Sequence, residues 1–349
     1  MESENSGGEA AVLVSFRNAA AAERRIAGTA AVAHVAAEVC RSGAREIRIA
    51  LGDELAISAE ARADIARACN GTAVRFGSLV AMDGAAIRPF RSDIPLDDEG
   101  EAARYLLRQT GKKSDGLVSR LLNRPISRIL SAWLLRIPGI RPWHATAGTA
   151  LIAVVMFLCL ALGGRGGLIA GGILFHAASV ADGVDGEIAR ATYRSSARGA
   201  VLDSVVDMGT NILFYIGLTI SLTHLHQPNA ALITAWAVLA GLTGFALLAW
   251  VVRQVGEPGD FDILKRFYRD KCPRGAPRLI VDTFVMITSR DFFALGSAFL
   301  ILVGHPRLVS MGLAGFATLW VLLTLIAMPS LLKGATGAAF AMERGPNVP

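Results

Sequence analysis

Up to about residue 140, short apolar stretches alternate with charged ones; beyond it, the apolar runs grow to membrane-spanning length. A hydrocarbon core about 30 Å thick takes roughly 20 apolar helical residues to cross. Ala145–Gly164, Gly166–Ala181, Ser204–Thr223, Asn229–Val252, Thr288–Gly304 and Leu308–Leu332 meet or approach that length, which predicts six spans. In the N-terminal part, "AVLVSF" reads as a strand and "AGTAAVAHVAAEVCRSG" as a helix stopping at Gly43. "REIRIAL" alternates like a strand, "AEARADIARACNG" is a second helix, and "TAVRFGSL" follows it. This order predicts a small α/β layer. The expected fold is thus an α-helical integral membrane protein with six transmembrane helices, preceded by a small α/β cytosolic domain.

Between the two parts, "SDGLVSRLLNRPISRILSAWLLRI" sets Val118, Leu121, Leu122, Ile126, Ile129, Leu130, Trp133 and Leu134 mainly on one helical side. Arg120, Arg124, Arg128 and Arg136 are interleaved, and Pro125 restarts the helix midway. The pattern predicts an amphipathic segment lying in the membrane interface. The expected boundaries are residues 1–112 for the head, 113–143 for this linker, 144–335 for the membrane domain and 336–349 for a tail.

Composition agrees with a membrane protein. Of 349 residues 53% are hydrophobic, and the mean hydropathy of +0.46 exceeds that of ordinary soluble proteins. The net charge of +6 gathers in loops flanking the spans. Arg190, Arg194, Arg198, Arg253, Lys265, Arg266, Arg269, Lys271, Arg274 and Arg278 fall on one side, which marks it as cytoplasmic. Both termini are expected there, at the inner (plasma) membrane, and "MESENSGGEA" does not read as a secretory signal. No aromatic-interleaved basic patch points to nucleic acid. Cys40, Cys69, Cys159 and Cys272 lack metal-site spacing and read as reduced, isolated thiols.

Against this background the stretch "ADGVDGEIARATYRSSARGAVLDSVVDMG" stands out. Asp182 and Asp185 are three residues apart, Asp203 and Asp207 four apart, so each pair shares a helix face. Four carboxylates beside hydrocarbon repel one another and are costly to desolvate. One or two divalent cations remove both costs, and all-oxygen ligands select Mg²⁺ or Mn²⁺. Gly183, Gly186 and Gly199 leave room for a ligand, and Arg190 offers fixed charge to a phosphate.

Written as D-x2-D-G-x2-A-R-x8-G-x3-D-x3-D, the pattern is filled at every fixed position by Asp182, Asp185, Gly186, Ala189, Arg190, Gly199, Asp203 and Asp207. It resembles the signature of the CDP-alcohol phosphotransferase family, with six membrane helices, over about residues 115–335. The resemblance implies that an acceptor hydroxyl attacks a CDP-linked donor and releases CMP. It implies metal ligation by Asp182, Asp185 and Asp203, with Asp207 as general base beside the metal. Asp182, Gly183, Asp185, Gly186, Ala189, Arg190, Gly199 and Thr146 would contact CDP. It further implies a CDP-alcohol donor, an alcohol or phospho-alcohol acceptor and a homodimer.

A P-N-x-x-T segment common in the family reads "PWHAT" here, keeping Pro142 and Thr146 but placing Trp143 at the Asn position. Arg194, Arg253 and Arg290 are candidates for an acceptor's phosphate. The head resembles a cut-down nucleotidyltransferase domain, since "RRIAGTAAVAHVAAEVCRSGAREIRIAL" matches the helix-strand unit after the nucleotide loop. Its loop, "SFRNAAAAERR", has no glycine for a phosphate to approach. The head is then structural or regulatory, or binds nucleotide without chemistry. The combination is most like enzymes of the di-inositol-phosphate and inositol-phosphate synthase type. The alternative is a membrane carrier using the acidic hairpin for cation or proton coupling.

Overall fold

The computed structural model describes residues 11–44, 46–54, 56–69, 72–77, 88–111, 116–255, 263–271, 275, 279, 282–283 and 289–343. The run "MESENSGGEA", Cys272, Arg274, Arg278 and Thr288, all used above, lie outside these residues. The chain divides into two compact units. One comprises Met1–Ser114, Arg124–Ala147 and Ala181–Asp203; the other Asp115–Asn123, Gly148–Val180 and Ser204–Pro349.

The first unit opens with β1 (Val12–Ser15), α1 (Ala19–Glu23), β2 (Arg25–Ile26), β3 (Thr29–Ala30), α2 (Ala31–Arg41), β4 (Glu46–Ala50), α3 (Ala59–Ala68), β5 (Ala73–Gly77), β6 (Arg88–Pro89) and α4 (Glu99–Gln109). Four strands form a parallel sheet in the order β5-β4-β1-β6. Val14, Ile47 and Ile49 of its strands are buried with Val32, Val35 and Val39 of α2 in one apolar core. The α/β expectation for the head therefore holds. Two local features differ from the sequence reading. The helix expected from Ala27 starts only at Ala31, because Ala27 and Gly28 take positive φ (48° and 76°) and turn a β2–β3 hairpin. Residues 99–109, within the expected head but given no element there, form α4, capped by Asp98, which accepts from Gly100 and Glu101 amides at 2.7 and 3.0 Å. Cys40 and Cys69, distant in sequence, are not isolated: the Cys69 thiol is pushed up by burial and by its contact with Cys40.

His34 of α2 is fully buried. Its Nε2 donates to the Ile26 carbonyl at 2.8 Å, which leaves Nδ1 to accept from the Tyr193 hydroxyl at 3.1 Å. Burial above all holds this imidazole at about 4, against the usual 6.5; Arg41 lowers it too, while the Ile26 carbonyl and Asp64 pull it up. Below pH 6.5 the unfolded chain thus binds a proton that the folded one refuses. Stability falls as pH drops from 6.5 to about 4, by about 3 kcal/mol across that window. Hydrogen exchange of the α2 amides in the full chain should show this slope, and His34→Gln should flatten it. An unchanged slope in that variant would assign the effect elsewhere.

A π-helical turn (Ser119–Asn123) leads into α5 (Arg124–Leu134), so the winding changes next to Pro125. Then come α6 (Pro142–Leu162), α7 (Gly164–Ala191), α8 (Ala197–His224), α9 (Pro228–Val255), α10 (Ile263–Lys271), α11 (Arg290–Leu302) and α12 (Pro306–Glu343). Among the described residues, five helices are long and apolar enough to cross a membrane: α6, α7, α8, α9 and Pro306–Lys333 of α12. The sequence reading expected six. The segment intended as the fifth is represented by α11, whose 13 residues rise only about 20 Å, short of the roughly 30 Å needed.

Within the second unit, Phe175 and Phe214 stack with ring centroids 3.9 Å apart. Polar ties also join its helices. Thr234 and Ser310 hydroxyls meet at 2.7 Å, and Asp291 accepts from Asn123 and Ser179 at 3.0 and 2.9 Å. Such ties are favoured where a helix has no water to satisfy its polar groups.

Candidate active site

Helix α7 carries Asp182 and Asp185 unbroken to Ala191, and α8 resumes at Ala197. The turn between them is tight. Tyr193 takes a left-handed φ of 54°, unusual for a residue with a side chain. The Arg194 amide bonds back to the Ala189 carbonyl at 2.8 Å. Ser196 then caps α8, its hydroxyl accepting from the Gly199 amide at 3.0 Å. Tyr193 is further fixed by His34, and burial pushes its hydroxyl up to about 12.

Inside the first unit, this hairpin borders a cavity of about 450 Å³. Thr146 from α6, Asp185, Gly186, Ala189 and Arg190 from α7, and Gly199 and Asp203 from α8 line it together. Trp143, Arg194 and Arg198 also line it. Asp182 and Asp203 bring carboxylate oxygens within 4.8 Å of each other. An oxygen-only pair at that spacing suits a hard divalent ion. Asp185 is nearly buried and receives the Thr146 hydroxyl at 2.6 Å. Thr146 thereby fixes the rotamer of a carboxylate as well as facing the cavity. Asp207 follows Asp203 by one turn of α8 and falls in the second unit, where Arg290 pairs with it.

The glycines make room chiefly for protein atoms. A Cβ on Gly183 would meet Arg124 Nη1 at 3.0 Å, one on Gly186 the Arg190 guanidinium at 3.0 Å, and one on Gly199 the Ser196 hydroxyl at 3.1 Å. Gly183 thus admits α5, and Gly186 lets Arg190 lie back along its own helix. Of the three residues expected at an acceptor's phosphate, Arg194 stands with the cavity residues above, bonded to the Ile140 carbonyl at 3.2 Å. Arg290 lines another cavity, of about 380 Å³, with Asn211 and Tyr215. Arg253 is exposed near the end of α9 and lines neither cavity.

One residue inside the motif went unread. Glu187 has no solvent exposure. It accepts from Arg124 at 3.1 Å and from the Ser127 and Ser131 hydroxyls, each at 2.7 Å. Arg124, Ser127 and Ser131 form the buried stripe of α5, while Ile126, Ile129, Leu130 and Trp133 point outward. The i, i+3, i+7 spacing of these polar residues was the signal available in the sequence.

The family model described as CDP-alcohol phosphatidyltransferase matches residues 144–302. Curated relatives carry the name bifunctional IPC transferase and DIPP synthase. That of Thermococcus kodakarensis is 36% identical over 118 residues, 33% of this chain and 26% of the relative. That of Aquifex aeolicus is 35% identical over 139 residues, 38% and 30% of the two chains. That of Archaeoglobus fulgidus is 31% identical over 147 residues, 42% and 28%. The matched part spans less than a third of the length of these relatives.

Proposed function

We propose that the chain moves a phospho-alcohol from a CDP-alcohol to an acceptor hydroxyl, releasing CMP, a reading supported by the match of residues 144–302 to the CDP-alcohol phosphatidyltransferase family model. The observation that carries this reading is the convergence of Thr146, Asp185, Gly186, Ala189, Arg190, Gly199 and Asp203, from three helices, on one cavity. Phosphoryl transfer demands positioning and charge neutralisation more than covalent chemistry. Arg190, Arg194 and Arg198 offer fixed cations to the donor's pyrophosphate. Asp182, Asp185 and Asp203 would hold Mg²⁺ or Mn²⁺, in one or two ions, with Asp207 beside the metal. A bound cation of that kind offsets charge on the pyrophosphate and on the leaving CMP. Thr146 keeps Asp185 aimed. Asp207 takes the acceptor's proton as the new P–O bond forms, and Arg290 keeps its carboxylate in place until then.

The acceptor side is read from the relatives named DIPP synthase and from the cavity beside α11: a polyol or phospho-polyol, with Arg290 near its phosphate. This puts the reaction in polyol phosphodiester synthesis. The site lies on the cytoplasmic side of the plasma membrane, with both termini there, α11 belonging to a sixth crossing, and the chain working as a homodimer. The head has no nucleotide chemistry. The Ala19 amide at the start of α1, where a phosphate would be cradled, donates instead to Glu54 of the chain itself at 3.2 Å, and Asn18 caps the same turn.

The deciding assay is CMP release by the purified full chain. CDP-diacylglycerol, CDP-inositol and CDP-glycerol are crossed with inositol, inositol phosphate and glycerol phosphate, with Mg²⁺, Mn²⁺ or a chelator. Metal-dependent release with one pair is the expected result. Aspartate-dependent cation flux without CMP would replace the transferase reading by the carrier one.

A further inference from the structure

A larger cavity, of about 910 Å³, lies in the first unit between α4, α5 and the β2–β3 turn, apart from the residues assigned above. Its charged lining is strongly one-sided. Arg25, Arg104, Arg108, Arg128 and Arg136 face a single acid, Glu99. Two of these six are already matched. Arg25 pairs with Asp64 at 3.0 Å and with Glu60, and Glu99 lies 3.6 Å from Arg24.

The other four arginines form no ion pair among the described residues. Arg104 and Arg108 sit one turn apart on α4, a like-charge spacing that works against the helix. Arg128 reaches the Arg108 carbonyl at 3.4 Å, yet its Nε is buried without a hydrogen-bond partner. A buried guanidinium N–H left unmade is costly, and an anion in the cavity would satisfy it.

The remaining wall is apolar, with Ile129, Ala132, Trp133 and Leu135. Ile129 and Trp133 are 62% and 69% exposed and continue the outward stripe of Ile126 and Leu130 on α5. An outward apolar stripe on a helix that leads directly into a membrane span marks a face that meets lipid. The cavity therefore joins a cluster of phosphate-type donors to a lipid-facing wall.

We propose that this cavity binds the phosphate headgroup of an anionic phospholipid, with Arg104, Arg108, Arg128 and Arg136 on the phosphate and the first acyl methylenes along Ile129 and Trp133. Guanidinium groups grip phosphate oxygens in pairs. A free sugar phosphate would use the arginines and leave the apolar wall idle, so the lipid is the occupant that uses both. The site stands apart from the transferase reading and does not depend on it.

The test titrates the full chain, in neutral detergent, with fluorescent phosphatidylglycerol and with fluorescent phosphatidylcholine. The anionic lipid should saturate one site and bind at least about tenfold more tightly than the neutral one. Replacing both Arg104→Gln and Arg108→Gln should weaken it about thirtyfold. Both side chains are exposed, so the melting temperature and CMP release in neutral detergent should stay as they were. Trp133→Ser should weaken the lipid and leave binding of inorganic phosphate unchanged. Equal binding of the two lipids, or undiminished phosphatidylglycerol binding by the arginine pair variant, overturns the proposal. Displacement of the lipid by millimolar inorganic phosphate, with Trp133→Ser silent, overturns it in favour of a soluble phosphate ester.

Discussion

Asp207→Asn lowers the rate of CMP release by about a hundredfold to ten-thousandfold, the range that a lost general base costs. The Mg²⁺ concentration giving half-maximal rate should barely move. Asp203→Asn should instead raise that concentration by tenfold or more and regain part of its rate in excess metal, because a metal ligand is missing. The contrast separates two carboxylates that lie one turn apart on α8. It follows from the roles proposed for them and from one difference in surroundings: Arg290 pairs with Asp207. Asparagine keeps the size of the side chain, so folding is not the issue. Steady-state kinetics against metal and acceptor decide it. If both variants respond alike to metal, Asp207 is a ligand and not the base.

Glu187→Ala is expected to cost about 3–5 kcal/mol of stability, the penalty for leaving a buried charge uncompensated. Arg124, itself almost buried, would lose its carboxylate, and two serine hydroxyls would lose their acceptor. Replacing both charges, Glu187→Met with Arg124→Met, should recover most of the loss, since a well-packed apolar pair avoids the desolvation cost. Unfolding of the purified chain across a denaturing-detergent titration measures all three. A loss below about 0.5 kcal/mol for Glu187→Ala, the usual range for a surface change, would mean that α5 is held by other contacts. CMP release should fall with Glu187→Ala too, because Gly183 and Glu187 flank Asp185 on the helix that α5 braces.

How much of this could be read from sequence varied with the physics involved. The aspartate pairs were legible because helical spacing alone sets which carboxylates share a face. The head's strands and helices were legible from period and glycine stops, but the β2–β3 hairpin was not. It rests on Ala27 at positive φ, which nothing in the local residue types demands. The apolar side of α5 was legible as an interfacial face, but the polar stripe it leaves buried was not. Amphipathicity fixes two faces without saying which one turns inward, and beside a bilayer the apolar face turns out. Here Arg124, Ser127 and Ser131 are buried, and Ile129 and Trp133 are exposed. The partnership of His34 with Tyr193 was out of reach, since it joins residues 159 positions apart.

Helices α7 and α8 each have 28 residues, a rise of about 42 Å. A hydrocarbon core of about 30 Å leaves each with an overhang of roughly two turns. Asp185 and Asp203 fall within such an overhang at the end of α7 and the start of α8, with Asp182 and Asp207 up to about a turn deeper, so the motif straddles the hydrocarbon boundary. Bilayer thickness then sets how much water reaches those carboxylates. Longer acyl chains draw the motif toward hydrocarbon, shorter ones lift it clear, and the mismatch costs fractions of a kcal/mol per ångström either way. The host membrane's acyl length thereby becomes one of the determinants of the polarity around the reacting phosphate.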